Sequence, residues 1–167
     1  MDSNLELAAF AAVKNLEAAG LTVATAESCT GGLIAAAITG VPGASGVFRY
    51  GWVTYCNEAK ERELGVPHNI IEEHSVVSEP VVAAMAEGAM RQAGADIAVA
   101  VSGNAGPTAA EGEPPVGTVC LAIVRRGAAR PAHTETLFYP GVPRNTLRHL
   151  VAGKALALIA TVAQAEG

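Results

Sequence analysis

The chain has 167 residues, enough for one domain with a substantial core, and a formal net charge of −5. That balance argues against electrostatic capture of nucleic acid or of an acidic membrane, and the eleven Lys and Arg form no dense block. Half of the residues are hydrophobic but only 4% are aromatic, which favours tightly packed α/β layers over a ligand cavity lined with rings.

Residues 4–19 have a helical apolar face (Leu5, Ala9, Val13, Leu16), with Gly20 as the stop. A strand is predicted over 21–26 and a buried helix over 30–39, followed by a Gly/Pro loop over 40–46. A strand over 47–55 leads into a short helix over 57–64, with Asn57 as its cap, and 67–74 reads as a loop with at most one helical turn. Ser78 caps a helix over 79–93, where Pro80 is tolerated in the first turn. The continuous apolar run 95–102 is typical of a strand buried on both faces. A long loop over 103–115 precedes two consecutive strands, 116–125 and 132–139, expected to pair antiparallel, and a last helix runs over 144–163. Alternating helices and strands imply one domain, an α/β fold built as a three-layer α/β/α sandwich on a mixed, mostly parallel sheet.

Cys29, Cys56 and Cys120 are odd in number and form no CxxC pair, and the first residues do not look like a signal peptide. A reducing, cytoplasmic setting is the expectation. No apolar run reads as a membrane span, since Lys154 interrupts the C-terminal one.

The richest segment is Thr25-Ala26-Glu27-Ser28-Cys29-Thr30-Gly31-Gly32, a turn from strand to helix that carries hydroxyls, a thiol and two glycines. Helix N-termini have unpaired amides and the positive end of a dipole, so an anion or a developing oxyanion is favoured there. Ser28 is the candidate nucleophile and needs a base. His68, His74, His133 and His149 lack partner spacing and metal-ligand spacing, so no metal or cofactor is assigned. Lys60 falls in the first turn of its helix, where a cation opposes the dipole. That placement and partial burial both disfavour the ammonium form, as a general base requires. Tyr55 stands at the preceding strand end, from which its hydroxyl could relay a proton. Ser102, Asn104, Ala105 and Gly106 follow the most buried strand and belong on the rim that borders a ligand crevice. Gly43 and Ser45 are expected to approach from the same side.

In order along the chain, Ala26-Glu27-Ser28-Cys29-Thr30-Gly31-Gly32, Gly51-Trp52-Val53-Thr54-Tyr55-Cys56-Asn57-Glu58-Ala59-Lys60, Leu64-Gly65-Val66, Val77-Ser78-Glu79-Pro80-Val81, Ser102-Gly103-Asn104-Ala105-Gly106-Pro107 and Pro115-Val116-Gly117-Thr118-Val119 resemble the CinA C-terminal-domain family. Arg144 and Arg148 in the last helix extend the match over nearly the whole chain. The resemblance implies an anticodon-binding-domain-like sandwich with a mixed five-stranded sheet. It implies nicotinamide-mononucleotide deamidation, in which the carboxamide is hydrolysed to ammonia and nicotinate mononucleotide. The family's catalytic serine, tyrosine and lysine match Ser28, Tyr55 and Lys60. Backbone amides near Cys29 and Thr30 would hold the oxyanion, and Gly31, Gly32, Ser45 and Arg148 the substrate phosphate.

Three departures from the family pattern are Asn104 in place of Ile or Val, Ala109-Ala110 in a usually Gly-rich stretch, and Pro114 in place of lysine. They bear on recognition of the base or ribose. Two other readings stay open at this point: Cys29 as the nucleophile of a thiol amidase, and a non-catalytic nucleotide-binding or competence-associated accessory protein, which Asn104 most encourages. The expected partner is a small pyridine nucleotide, and an alanine-rich helix surface suits a homodimer or higher homo-oligomer.

Overall fold

The structure is a computed structural model that describes residues 2–165. Helix α1 (Ser3–Ala19) is capped by Asp2 and ends at Gly20, whose left-handed backbone (φ +66°) explains the stop. Strand β1 (Val23–Glu27) is followed by α2 (Leu33–Thr39), a single 3-10 turn (Ala44–Gly46) and β2 (Phe48–Val53). Next come α3 (Asn57–Leu64), α4 (His68–His74), α5 (Glu79–Ala93), β3 (Ile97–Gly103), β4 (Thr118–Arg125), β5 (His133–Phe138) and α6 (Arg144–Gln164).

The five strands lie in the order β2-β1-β3-β4-β5. β2, β1 and β3 pair in parallel, while β4 pairs antiparallel with both β3 and β5. Four strands therefore share one direction and β4 alone is reversed, which makes the sheet mixed and mostly parallel, as expected. Strand alternation divides the core into two. Ile97, Val99, Val101, Val119, Leu121 and Ile123 face α1, α2 and α6. Ala98, Ala100, Cys120 and Ala122 face α3, α4 and α5 on the other side. The small side chains on that second face let α5 lie close to the sheet. α3 in turn lies close to α5: a methyl group on Gly88 of α5 would stand 1.9 Å from the Leu64 carbonyl oxygen of α3.

Three expectations are corrected. Residues 68–74 form a full helix, because Pro67 sets an extended entry and Ile71 packs into the second core. α2 starts three residues later than the pattern implies, since Gly31 (φ +60°) and Gly32 (φ +100°) are left-handed and cannot belong to it. α6 is long and apolar enough to cross a membrane by length and composition despite Lys154, and half of its most apolar window is buried in this fold.

Candidate active site

Ser28 leaves the carboxyl end of β1, its amide donating to the Val101 carbonyl of β3 (3.0 Å). Lys60 reaches it from α3. Its Nζ donates to Ser28 Oγ at 3.1 Å and to the Thr54 carbonyl at 2.7 Å. Lys60 is 1% exposed, and no carboxylate forms an ion pair with it among the described residues. Burial lowers its pKa from 10.5 to about 8, against small opposing effects of Cys56 and Cys29. At pH 7 roughly a tenth of such amines are neutral, so the amine is not largely uncharged but is readily discharged. Asn57 is not the cap of α3. Cys56 holds that position without a side-chain hydrogen bond, and Asn57 is the first helical residue.

Both groups line a cleft of about 310 Å³ together with Cys29, Tyr55, Asn57, Ser102, Asn104, Ala105, Gly106, Thr108 and Arg144. A larger groove of about 560 Å³ between α1 and α6 contains no such nucleophile–base pair. None of the four histidines lines the cleft.

The anion-favouring end of α2 is already occupied. Glu27 is 1% exposed, and its carboxylate accepts from the amides of Gly32 (3.1 Å), Ile34 (3.1 Å) and Ala35 (2.9 Å). This is an internal helix cap, supplied by the residue before the nucleophile. Its own carbonyl accepts from the Thr54 amide (2.9 Å), and the Thr54 carbonyl accepts from Lys60. Glu27 thus ties both halves of the Ser28–Lys60 pair. Sequence reasoning passed over it, although an acid at the end of a buried strand and before a helix is a usable signal. No acceptor takes the amides of Cys29 or Thr30 among the described residues.

Arg148 lies behind this turn rather than free for a phosphate. Its Nε donates to the Cys29 carbonyl (2.9 Å), Nη2 to that of Thr30 (3.1 Å) and Nη1 to Asn145 Oδ1 (3.0 Å). Gly31 makes room for it, since a methyl group there would stand 3.1 Å from Nη2. The arginine that lines the cleft is Arg144, one turn earlier, donating to the Gly106 carbonyl (2.5 Å) and to the Tyr55 hydroxyl (2.7 Å). Tyr55 is bonded to Arg144 and not to Lys60 or Ser28, so the expected proton relay is not formed.

Gly43 and Ser45 do not approach the site. β1 and β2 are parallel, so the segment entering β2 lies at the opposite end of the sheet from the segment leaving β1. Gly43 instead abuts Glu17 near the end of α1. Cys29 is not a thiolate. Burial, reinforced by Glu27, raises its pKa to about 11 despite Arg148 and Lys60, and its sulfur packs against Gly103. Asn104 does not extend a free polar group into the cleft: its Oδ1 accepts from Gly106 N (3.0 Å) and its Nδ2 donates to the Pro114 carbonyl (3.4 Å). Two departures from the family pattern, Asn104 and Pro114, therefore touch each other and staple the same loop.

The sequence profile described as CinA C-terminal domain matches residues 6–163. The chain belongs to the CinA C-terminal domain family. A CinA-like protein of Akkermansia muciniphila is 56% identical over 147 residues, covering 88% of this chain and 35% of the relative. A putative competence-damage inducible protein of Symbiobacterium thermophilum is 53% identical over 84% of this chain and 34% of its own length. The chain thus spans about a third of the curated relatives it matches. Among solved structures, the competence/damage inducible protein CihA from Agrobacterium tumefaciens superposes with a TM-score of 0.91 at 36% identity, covering 97% of both chains. A CinA superfamily protein from Escherichia coli gives 0.89 at 34% identity, covering 96% of this chain and 92% of the other. Both structures thus share this fold over nearly the entire chain.

Proposed function

We propose that this CinA C-terminal domain is a serine amidohydrolase that converts nicotinamide mononucleotide to nicotinate mononucleotide and ammonia. The observation that carries the reading is the buried Lys60 amine 3.1 Å from Ser28 Oγ, both lining a polar cleft. A lysine with its pKa near 8 serves as both base and acid close to neutrality.

Neutral Lys60, oriented by its hydrogen bond to the Thr54 carbonyl, takes the Ser28 proton as Oγ attacks the carboxamide carbon. The carbonyl oxygen becomes an oxyanion between the unpaired amides of Cys29 and Thr30, at roughly 3 kcal/mol per donor. Arg148 supports those donors by holding the carbonyls of the same turn. The Lys60 ammonium then protonates the departing nitrogen, ammonia leaves, and an acyl ester on Ser28 remains. Lys60 deprotonates a water, the hydroxide attacks the acyl carbon, and as the ester bond breaks the Lys60 ammonium returns the proton to Ser28 Oγ. Arg144, braced on Gly106 and Tyr55, is the cleft's arginine for the phosphate, since Arg148 is committed to the turn.

The test is ammonia release from nicotinamide mononucleotide by the wild type, Ser28→Ala and Lys60→Ala. Turnover by the wild type alone supports the reading. Binding without release by a folded wild type, or undiminished release by either variant, refutes it.

A further inference from the structure

We infer that Ser102 is a specificity-determining residue that selects a primary carboxamide over the corresponding carboxylate. This rests on the proposed amidohydrolase reading and adds to it the group that recognises the leaving nitrogen. β1 and β3 are parallel neighbours with Glu27 opposite Val101, so Ser28 and Ser102 occupy the next rung side by side. Both side chains project to the α3–α5 face: Ser28 meets Lys60 of α3, and Ser102 Oγ donates to the Val76 carbonyl in the α4–α5 connection at 2.9 Å. Both also line the cleft.

The direction of that last hydrogen bond decides what Ser102 offers. A carbonyl only accepts, so the Ser102 proton is committed to Val76 and the hydroxyl presents lone pairs elsewhere. Several other acceptors around the nucleophile are already engaged. The Thr54 carbonyl accepts from Lys60, that of Val101 from Ser28, that of Gly106 from Arg144, and Asn104 Oδ1 from Gly106. Ser102 Oγ stands on the rung beside Ser28 with lone pairs to offer.

A carboxamide needs donors at its oxygen and an acceptor at its nitrogen. The amides of Cys29 and Thr30 supply the first, and Ser102 Oγ the second. A carboxylate would turn an anionic oxygen toward the same lone pair. Ser102 could satisfy it only by turning its proton away from Val76, leaving a part-buried carbonyl unpaired. A site whose acceptor is held in place by another hydrogen bond discriminates against a ligand that has no hydrogen to give. The same device loosens the acid product.

The experiment measures dissociation constants of nicotinamide mononucleotide and of nicotinate mononucleotide by calorimetry, with Ser28→Ala to prevent turnover. The acid is expected to bind about tenfold more weakly than the amide, the factor that one neutral hydrogen bond supplies. Adding Ser102→Ala brings the ratio toward one, whereas Ser102→Thr, which keeps the hydroxyl, preserves it. Ser102→Cys is isosteric but a weak acceptor, so it gives the same collapse if the alanine protein does not fold. An unchanged ratio in a folded Ser102→Ala or Ser102→Cys protein that binds both nucleotides overturns the assignment and leaves the parent reading standing. If neither nucleotide binds even with Ser102 present, the pyridine-nucleotide reading fails and the assignment falls with it.

Discussion

Replacing Lys60 by methionine removes a buried titratable amine while keeping an unbranched chain of similar length. In the native protein the amine titrates near 8, and in the unfolded chain near 10.5. Between those values the unfolded state binds more protons, so a lowered lysine pKa makes stability rise with pH. Integrated from pH 7 to pH 10, the native protein gains about 2.5 kcal/mol from this one group. Lys60→Met lacks that gain, and the other titrations cancel in the difference between the two proteins. Urea unfolding of both at pH 7, 8, 9 and 10 reads the difference directly. It should widen by about 2.5 kcal/mol in favour of the wild type, most steeply between pH 8 and 10. A difference that stays level across the range refutes the claim that Lys60 is held in a medium hostile to its charge, and with it the basis for its role as base.

The same pKa predicts that kcat/KM for amide hydrolysis rises about tenfold per pH unit below 8 and levels off above it; a profile flat from pH 6 to 9 counts against Lys60 as base. Gly88→Ala should destabilise the fold by at least 1–3 kcal/mol, roughly the range for overpacking, because the new methyl group meets the Leu64 carbonyl; equilibrium unfolding checks it. Glu27→Gln turns one of two engaged oxygens into a donor against an amide, so a loss of about 1–3 kcal/mol is expected by thermal or urea unfolding. One thiol per chain, Cys56, should react rapidly with a chromogenic disulfide at pH 8, since Cys29 and Cys120 are buried; fast labelling of Cys29 contradicts the burial described.

Local pattern carried the order of the elements and the layer architecture, because each signal was complete within a short window. Ser78 at its cap, Gly20 at its stop and the unbroken apolar run of β3 each state their own structure. Ser28 and Lys60 were also legible as candidates, one from an unusual turn and the other from a cation placed against a helix dipole. What no window holds is which end of the sheet a loop occupies or what a long side chain reaches. The parallel pairing of β1 and β2 sent Gly43 and Ser45 to the far edge. The approach of α6 turned Arg148 onto the Cys29 and Thr30 carbonyls and left Arg144 in the cleft. Glu27, nearly anonymous in the chain, closes the helix end that its neighbours seemed to leave for a ligand. Strand direction and the competition of distant groups for the same few amides and carbonyls are properties of the packed whole, so only the tertiary structure decided them.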